Sequence, residues 1–418
     1  MNLQRLYVDI EAVVFDKASF IKDHTLHISK DELERAAEDP VFSKVEISIA
    51  QPGSSCRIVN MGDSVQPTLK LDDEDATFPG LIGAMRTAGR GRSLMLRNVV
   101  VSETAEVPIQ LPSLLDMSPT GAESTELATY NQIVIDAVPA EGVPRDDYLT
   151  ALHVASKKLA KLLALLAKDC APDETEEFTL AREGLEGLPR IAYLTNVFCH
   201  APFTEMTLYG ESMSASMPVI LHPNEILDGA ITNKDYDNST NAEATYVWQN
   251  HPIILELYRR HGVDLNFVGV VVSNIHHTVE VKQRNATMAA SMVHHQLKAD
   301  GCIITKEGGG HPQVDMGFAT DILEGDYGIK TTLVLAEFLS PNNDSYGQLL
   351  FKSKYADAIV STGCFTMAQL PAVERTIGSI FKIPTDDGTE NGPITVNNRA
   401  IQGCESQLGW TRYGSLKF

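Results

Sequence analysis

The sequence predicts an α/β protein: a β-rich N-terminal domain with one long helix over residues 1–187, then a Rossmann-like layered domain with a mostly parallel sheet over residues 188–418. Three observations predict it. Short alternating apolar runs broken by turns fill the first part, one long amphipathic stretch follows, and strand-then-helix units begin near residue 188. A chain of 418 residues is also too long for one small core, so two domains are the default.

Taken in order, Val45-Glu46-Ile47-Ser48-Ile49 alternates as a strand. Val65, Leu69 and Leu71 fall on one face of a second run, in which Pro67 predicts an edge strand. Gln51-Pro52-Gly53 and Gly89-Arg90-Gly91-Arg92 mark turns, and Asn131–Ile135 is another strand. Apolar residues at 152, 155, 159, 162, 163 and 166 predict a helix from about Arg145 to Lys168. The acidic stretch Asp169–Gly187 has weak periodicity and reads as a linker. Strands are expected at Arg190–Leu194, Met217–Leu221, Phe267–Ser273, Gly301–Thr305, Lys330–Leu335 and Ala358–Ser361. Helices are expected at Pro252–His261, Thr278–Lys298, Pro312–Glu324 and Met367–Ile377. Such alternation implies a largely parallel sheet covered by helices on both faces.

Composition narrows the function. A net charge of -21 disfavours nucleic acid and anionic membranes, which are bound through Lys and Arg. The six cysteines form no CxxC pair, which argues against a disulfide framework or zinc ribbon. The start of the chain lacks a signal-peptide pattern, and the longest apolar stretch, Leu159–Ala167, is too short to cross a bilayer. A cytoplasmic protein is the simplest expectation.

Ligands of open α/β sheets bind beyond the carboxyl ends of the strands. The expected strand ends release Cys199-His200, Asn274-Ile275-His276-His277, Glu307-Gly308-Gly309-Gly310-His311, Glu337-Phe338 and Thr362-Gly363-Cys364. Gly308, Gly309 and Gly310 would let backbone approach a ligand. Pro312 suits the first helical position, and amides there would hold a carboxylate or phosphate. His311 and either His276 or His277 would act as acid, base or ligand. Glu307, Asp315, Glu337 and Cys364 would orient them or complete a zinc or iron site, with His311, His276 and Asp315 as the metal set. Each also has a plain reading: hydrogen-bonding loop histidines, a tight glycine turn, a buried inert cysteine. His294-His295 would lie on the order of 25 Å from His276-His277 along one helix, too far to share a metal.

Several ordered stretches carry a family resemblance. They include Ala50-Gln51-Pro52-Gly53, Thr77-Phe78-Pro79-Gly80, Asp116-Met117-Ser118, Leu221–Ala230, Asn266–Val270, Glu307–Asp315 and Arg375-Thr376-Ile377-Gly378. In these the chain resembles the alpha subunit of glycine/sarcosine/betaine reductase component B. The resemblance implies a separate beta-type partner subunit, a small amino-acid-like substrate such as an amine, and reductive C–N cleavage within a hetero-oligomer. In that family an Asn-Cys pair after the Asp-Gly-Ala-Ile motif breaks, and the cysteine becomes a pyruvoyl group. Here Asp235-Tyr236 occupy that spacing.

Self-cleavage needs a β-heteroatom that attacks the preceding carbonyl and is then eliminated, and tyrosine has none. Ser239 and Thr240 carry hydroxyls but are displaced from the family position. No pyruvoyl is therefore expected. Tyr236 would line the pocket with Asn274 and the three glycines. His311 stands where the family has asparagine, and Cys364 also departs from its pattern. Two other classes stay open: a metal-dependent lyase or hydrolase using the loop histidines, and a non-catalytic scaffold subunit.

Overall fold

The computed structural model describes residues 1–107, 113–199, 206–234, 242–337, 350–364, 366–378 and 383–410, with backbone alone for Glu337 and Cys364. The protein is mixed α/β, with several sheets.

In the first part, the strand Asn2–Asp9 pairs in parallel with Gly91–Arg97 and antiparallel with Glu174–Thr179. A second sheet runs in the order Phe42–Ala50, Asn131–Pro139, Val99–Ala105, Met61–Val65. Helix α1, Arg145–Leu165, packs over both sheets. Its Leu152, Ala155, Leu159 and Leu163 are buried among Leu69, Leu94, Val101 and Ile133. Three- and four-residue spacing turns these side chains to one face. The helix also buries His153, Ser156 and Lys157 completely.

Two expectations for this part are corrected. The stretch read as a linker contains the strand Glu174–Thr179. It lies at a sheet edge and is largely exposed and acidic, so its pairing is backbone-driven and leaves no apolar alternation to read. The run through Val65, Leu69 and Leu71 is not one strand. It breaks at Gln66-Pro67 into Met61–Val65 and Thr68–Lys70, which belong to different sheets.

The second part is organised by a six-stranded sheet. Its strands are β1 (Arg190–Val197), β2 (Val219–Leu221), β3 (Asn266–Asn274), β4 (Gly301–Lys306), β5 (Lys330–Glu337) and β6 (Ile359–Cys364). The order is β2-β3-β1-β4-β5-β6. All neighbours are parallel except β2, which runs antiparallel to β3 at the edge. Ala192 and Leu194 face a core built with α3 (Val279–Ser291) and α4 (Pro312–Gly325). Tyr193 and Val197 face the opposite core with α2 (Pro252–Arg260). Period-two alternation thus feeds two apolar layers, as a parallel sheet requires.

The expected helix over Met367–Ile377 is instead two strands, Met367–Leu370 and Arg375–Ile377. Pro371 lacks an N–H and clashes with a preceding helical turn, so the periodic apolar residues do not form a helix. Met367–Leu370 pairs with Ile394–Asn397, and Arg375–Ile377 pairs in parallel with Cys56–Val59 of the first part. The expected helix N-terminus beside Cys364 therefore does not form. No helix among the described residues is long and apolar enough to cross a membrane.

Candidate functional site

The chain runs from β1 outward to β3 and returns to β4 on the other side of β1. The carboxyl ends of β1 and β4 therefore flank a switch in strand order, where such sheets open a crevice. Glu307 follows β4 at this point and is fully buried. Its own N–H donates to Asn196 O at 2.9 Å. Its carboxyl accepts from the Phe198 N–H at 2.8 Å and from the Glu243 N–H at 2.8 Å. Burial pushes its pKa up to about 8, with those backbone donors opposing.

Three more buried groups surround it. Glu243 accepts from the Gln407 N–H at 2.6 Å, and burial pushes it up to about 7. Glu405 is pushed up to about 8, and neither carboxyl oxygen has a hydrogen-bond partner among the described residues. Lys306 donates to Gly308 O and Gln407 Oε1, and burial pulls it down to about 7 against Glu405, Glu243 and Glu307. A narrow cavity between Glu243, Arg399 and Glu405 has about 10 Å³ of space, near that of one water.

Gly308 has φ +71, and a Cβ there would stand 2.5 Å from the Phe198 ring. Its identity is thus explained by backbone conformation and packing. Gly310 has φ +79, and among the described residues a Cβ there would meet nothing closer than 3.9 Å.

The His277 and His311 ring centroids are 5.6 Å apart, and those of His276 and His277 6.3 Å. The structure brings these three expected residues together. Asp315 instead pairs with Lys282, both buried. Asn274 is buried, donating to Ser214 O at 3.1 Å and accepting from Asn285 Nδ2 at 2.8 Å. Its amide is thus spent on holding the β3 end to neighbouring segments. His294 stacks on Tyr327 at 4.3 Å, away from the sheet edge. Cys364 ends β6, opposite Glu337. Tyr236, Ser239, Thr240 and His200 lie outside the described residues.

Among the described residues, the group of three metal-type ligands with donor atoms within 4.8 Å of one another is Asp63, Glu103 and His153, not His276, His311 and Asp315. Lys157 already serves it. Its Nζ donates to Asp63 at 2.6 Å, Glu103 at 3.0 Å and His153 Nδ1 at 2.8 Å. The ammonium provides the positive charge that a metal would supply. His153 Nδ1 accepts here, so Nε2–H faces Thr232 Oγ1 at 3.1 Å. Burial first, then Lys157, holds His153 well below its ordinary pKa.

Asp63 also accepts from the Thr245 N–H at 2.7 Å and from its hydroxyl, while the Asn233 N–H donates to Thr245 Oγ1 at 2.9 Å. The backbone on both sides of residues 235–241 is thus pinned, by this network on one side and Glu307 on the other. The sequence reading missed Lys157, His153, Asp63, Glu103, Lys306, Glu243 and Glu405. The one available signal was His153 and Lys157 spaced i,i+4 within the expected helix.

The buried acids give a pH signature. Glu307 and Glu405 have folded pKa values raised to about 8, so the folded state keeps protons that the unfolded chain releases above ~4.3. Their stabilisation is present at low pH and lost as pH rises through about 8. His222, lowered to about 4, and His251, lowered to about 3, act oppositely below the unfolded value of ~6.5. Lys306, lowered to about 7, offsets one acid above that pH. Between pH about 7 and 8 the two acids outweigh Lys306 by one proton, so stability should fall there by roughly 1.4 kcal/mol per unit. Urea unfolding across pH checks this. Glu307→Gln with Glu405→Gln should remove the fall, and a fall that persists in that pair would contradict it.

Fold and site together define a mixed α/β protein with a buried acid–base cluster at the switch point of its main sheet. The family model for glycine/sarcosine/betaine reductase component B subunits matches residues 1–415, and the chain belongs to that family. It is 28% identical over 427 residues to the glycine reductase complex component B subunits alpha and beta of Acetoanaerobium sticklandii, covering 99% of each. It is 30% identical over 446 residues to the betaine reductase complex component B subunit alpha of Peptoclostridium acidaminophilum, covering 98% of each. The sarcosine reductase complex component B subunit alpha of that organism is 28% identical, over 94% of this chain and 93% of that protein. No solved structure matches the chain significantly.

Proposed function

We propose that this chain is an alpha-type component B subunit that stays uncleaved and acts on a small amino-acid-like substrate, with a beta-type partner subunit in a hetero-oligomeric complex. The observation that carries this is Asp235-Tyr236 within an end-to-end family match. A pyruvoyl does not fit these residues, since tyrosine offers neither the attacking heteroatom nor the β leaving group. No step is therefore routed through one. The relatives' descriptions as complex components support assembly with a partner. In this reading a Rossmann-like second domain presents the site at the carboxyl edges of β1, β3 and β4. Glu307, Lys306 and Glu243 exchange protons there, His277 and His311 flank them, and the Gly310 end of the glycine loop takes a carboxylate.

Intact mass of the purified protein should show one species at the full-chain mass. Two fragments dividing near residue 235 or 238 would overturn the reading. Co-purification with a second subunit is expected, and a monomer competent alone would favour the stand-alone alternative.

The 5.6 Å approach of His277 and His311 favours one second reading, a zinc- or iron-dependent lyase or hydrolase. Metal analysis tests it: stoichiometric metal that is lost in His311→Ala supports that reading, and protein without metal rejects it.

A further inference from the structure

Among the described residues four lysines are buried: Lys70, Lys157, Lys282 and Lys306. Three are ion-paired, Lys70 with Asp228, Lys157 with Asp63 and Glu103, and Lys282 with Asp315. Lys306 differs. It is fully buried, yet its Nζ hydrogen bonds go to two neutral oxygens, Gly308 O and Gln407 Oε1. A buried ammonium without a contacting carboxylate is costly, so burial favours the free amine. The free amine is also the nucleophilic form of lysine.

Its position adds to this. Lys306 is the last residue of β4, at the switch point, and the nearby Glu405 has two buried carboxyl oxygens without hydrogen-bond partners among the described residues. The described structure thus brings a buried lysine that makes no ion pair near a buried carboxyl whose oxygens have no hydrogen-bond partner among the described residues.

We infer that Lys306 forms a Schiff base with a small carbonyl compound. The neutral Nζ attacks the carbonyl carbon. A C–N bond forms, the C–O π pair moves to oxygen, and the proton leaving nitrogen is taken up there as a carbinolamine. The Glu405 carboxyl then gives its proton to the hydroxyl, which leaves as water. The products are an iminium on Lys306 and the Glu405 carboxylate beside it. The inference deepens the proposed function, and rests on it, in one respect: a chain that makes no carbonyl of its own would take the carbonyl from its ligand. Because Lys306 is enclosed, the ligand must be small and must displace the Gln407 amide.

The test uses the full chain, glyoxylate as probe and cyanoborohydride, which reduces an iminium to a stable secondary amine. Peptide mapping at pH 7 should find Lys306 labelled at least about tenfold above exposed lysines such as Lys44 and Lys330. Gln407→Ala should speed that labelling, and denaturation should abolish the preference. Lys306 labelled no more than the exposed lysines, in both the native chain and Gln407→Ala, would overturn the inference. Intact mass is read on the same sample. Cleaved protein would sink the proposed function whatever Lys306 does, whereas intact protein with Lys306 unlabelled in both forms would sink this inference alone.

Discussion

Lys157→Met should destabilise the protein by ~3–5 kcal/mol, in the range seen when one partner of a buried ion pair is removed. Lys157, Asp63, Glu103 and His153 are each at most 1% exposed, so water cannot replace the ammonium. Removing it takes the Lys157 ammonium from between the Asp63 and Glu103 carboxylates, and His153 Nδ1 loses that donor. The effect should reach the segment around residues 235–241, because Asp63 also holds Thr245 and His153 holds Thr232. Chemical unfolding measures the loss, and limited proteolysis should show earlier cutting between residues 232 and 245. A loss below ~1 kcal/mol would mean that the network is not the buried cluster described.

Asp228→Ala should have a comparable effect, also ~3–5 kcal/mol, for a related reason. The Asp228 carboxylate accepts from Lys70 Nζ, from the Gly89 N–H at 2.6 Å and from the Ser93 hydroxyl. Lys70, Gly89 and Ser93 come from the first part of the chain, and Asp228 opens the Asp-Gly-Ala-Ile motif of the second. The residue thus ties the two parts together through three donors, and its loss strands a buried ammonium and a buried amide. In a double-mutant cycle with Lys70→Met, the pair should cost clearly less than the sum of the single variants. Additive losses would show that Lys70 and Asp228 do not interact in solution.

Much of the second part was legible in its residues. β3, β4 and β5 lie within a residue or two of the expected strands, and α2 and α4 likewise, because their apolar periods are strong and their boundaries carry Pro or Gly. The misread segments have identifiable causes. Glu174–Thr179 is an acidic edge strand whose register is set by Asn2–Asp9. Met367–Ile377 imitates a helix until Pro371 and the pairing with Cys56–Val59 decide otherwise. The site was legible only along the sheet edge. Glu307, His277 and His311 follow strands, and loops after parallel strands are expected to carry function.

By itself the sequence determined the family, the mixed α/β class, the positions of the main strands and the absence of a β-heteroatom at Tyr236. These follow from local composition, short-range periodicity and side-chain chemistry, which need no partner to be read. Only the tertiary structure decided which charged groups meet. Asp315 resembles a metal ligand in sequence but is paired to Lys282, 33 positions away. Lys157 resembles a surface lysine but is joined to Asp63 across 94 positions. Lys306 is set apart from the other buried lysines by the carboxylates that do not contact it, including Glu405, which chain topology brings near. Ionic partners are fixed by burial and long-range packing, and a linear period of two or 3.6 residues carries no record of either.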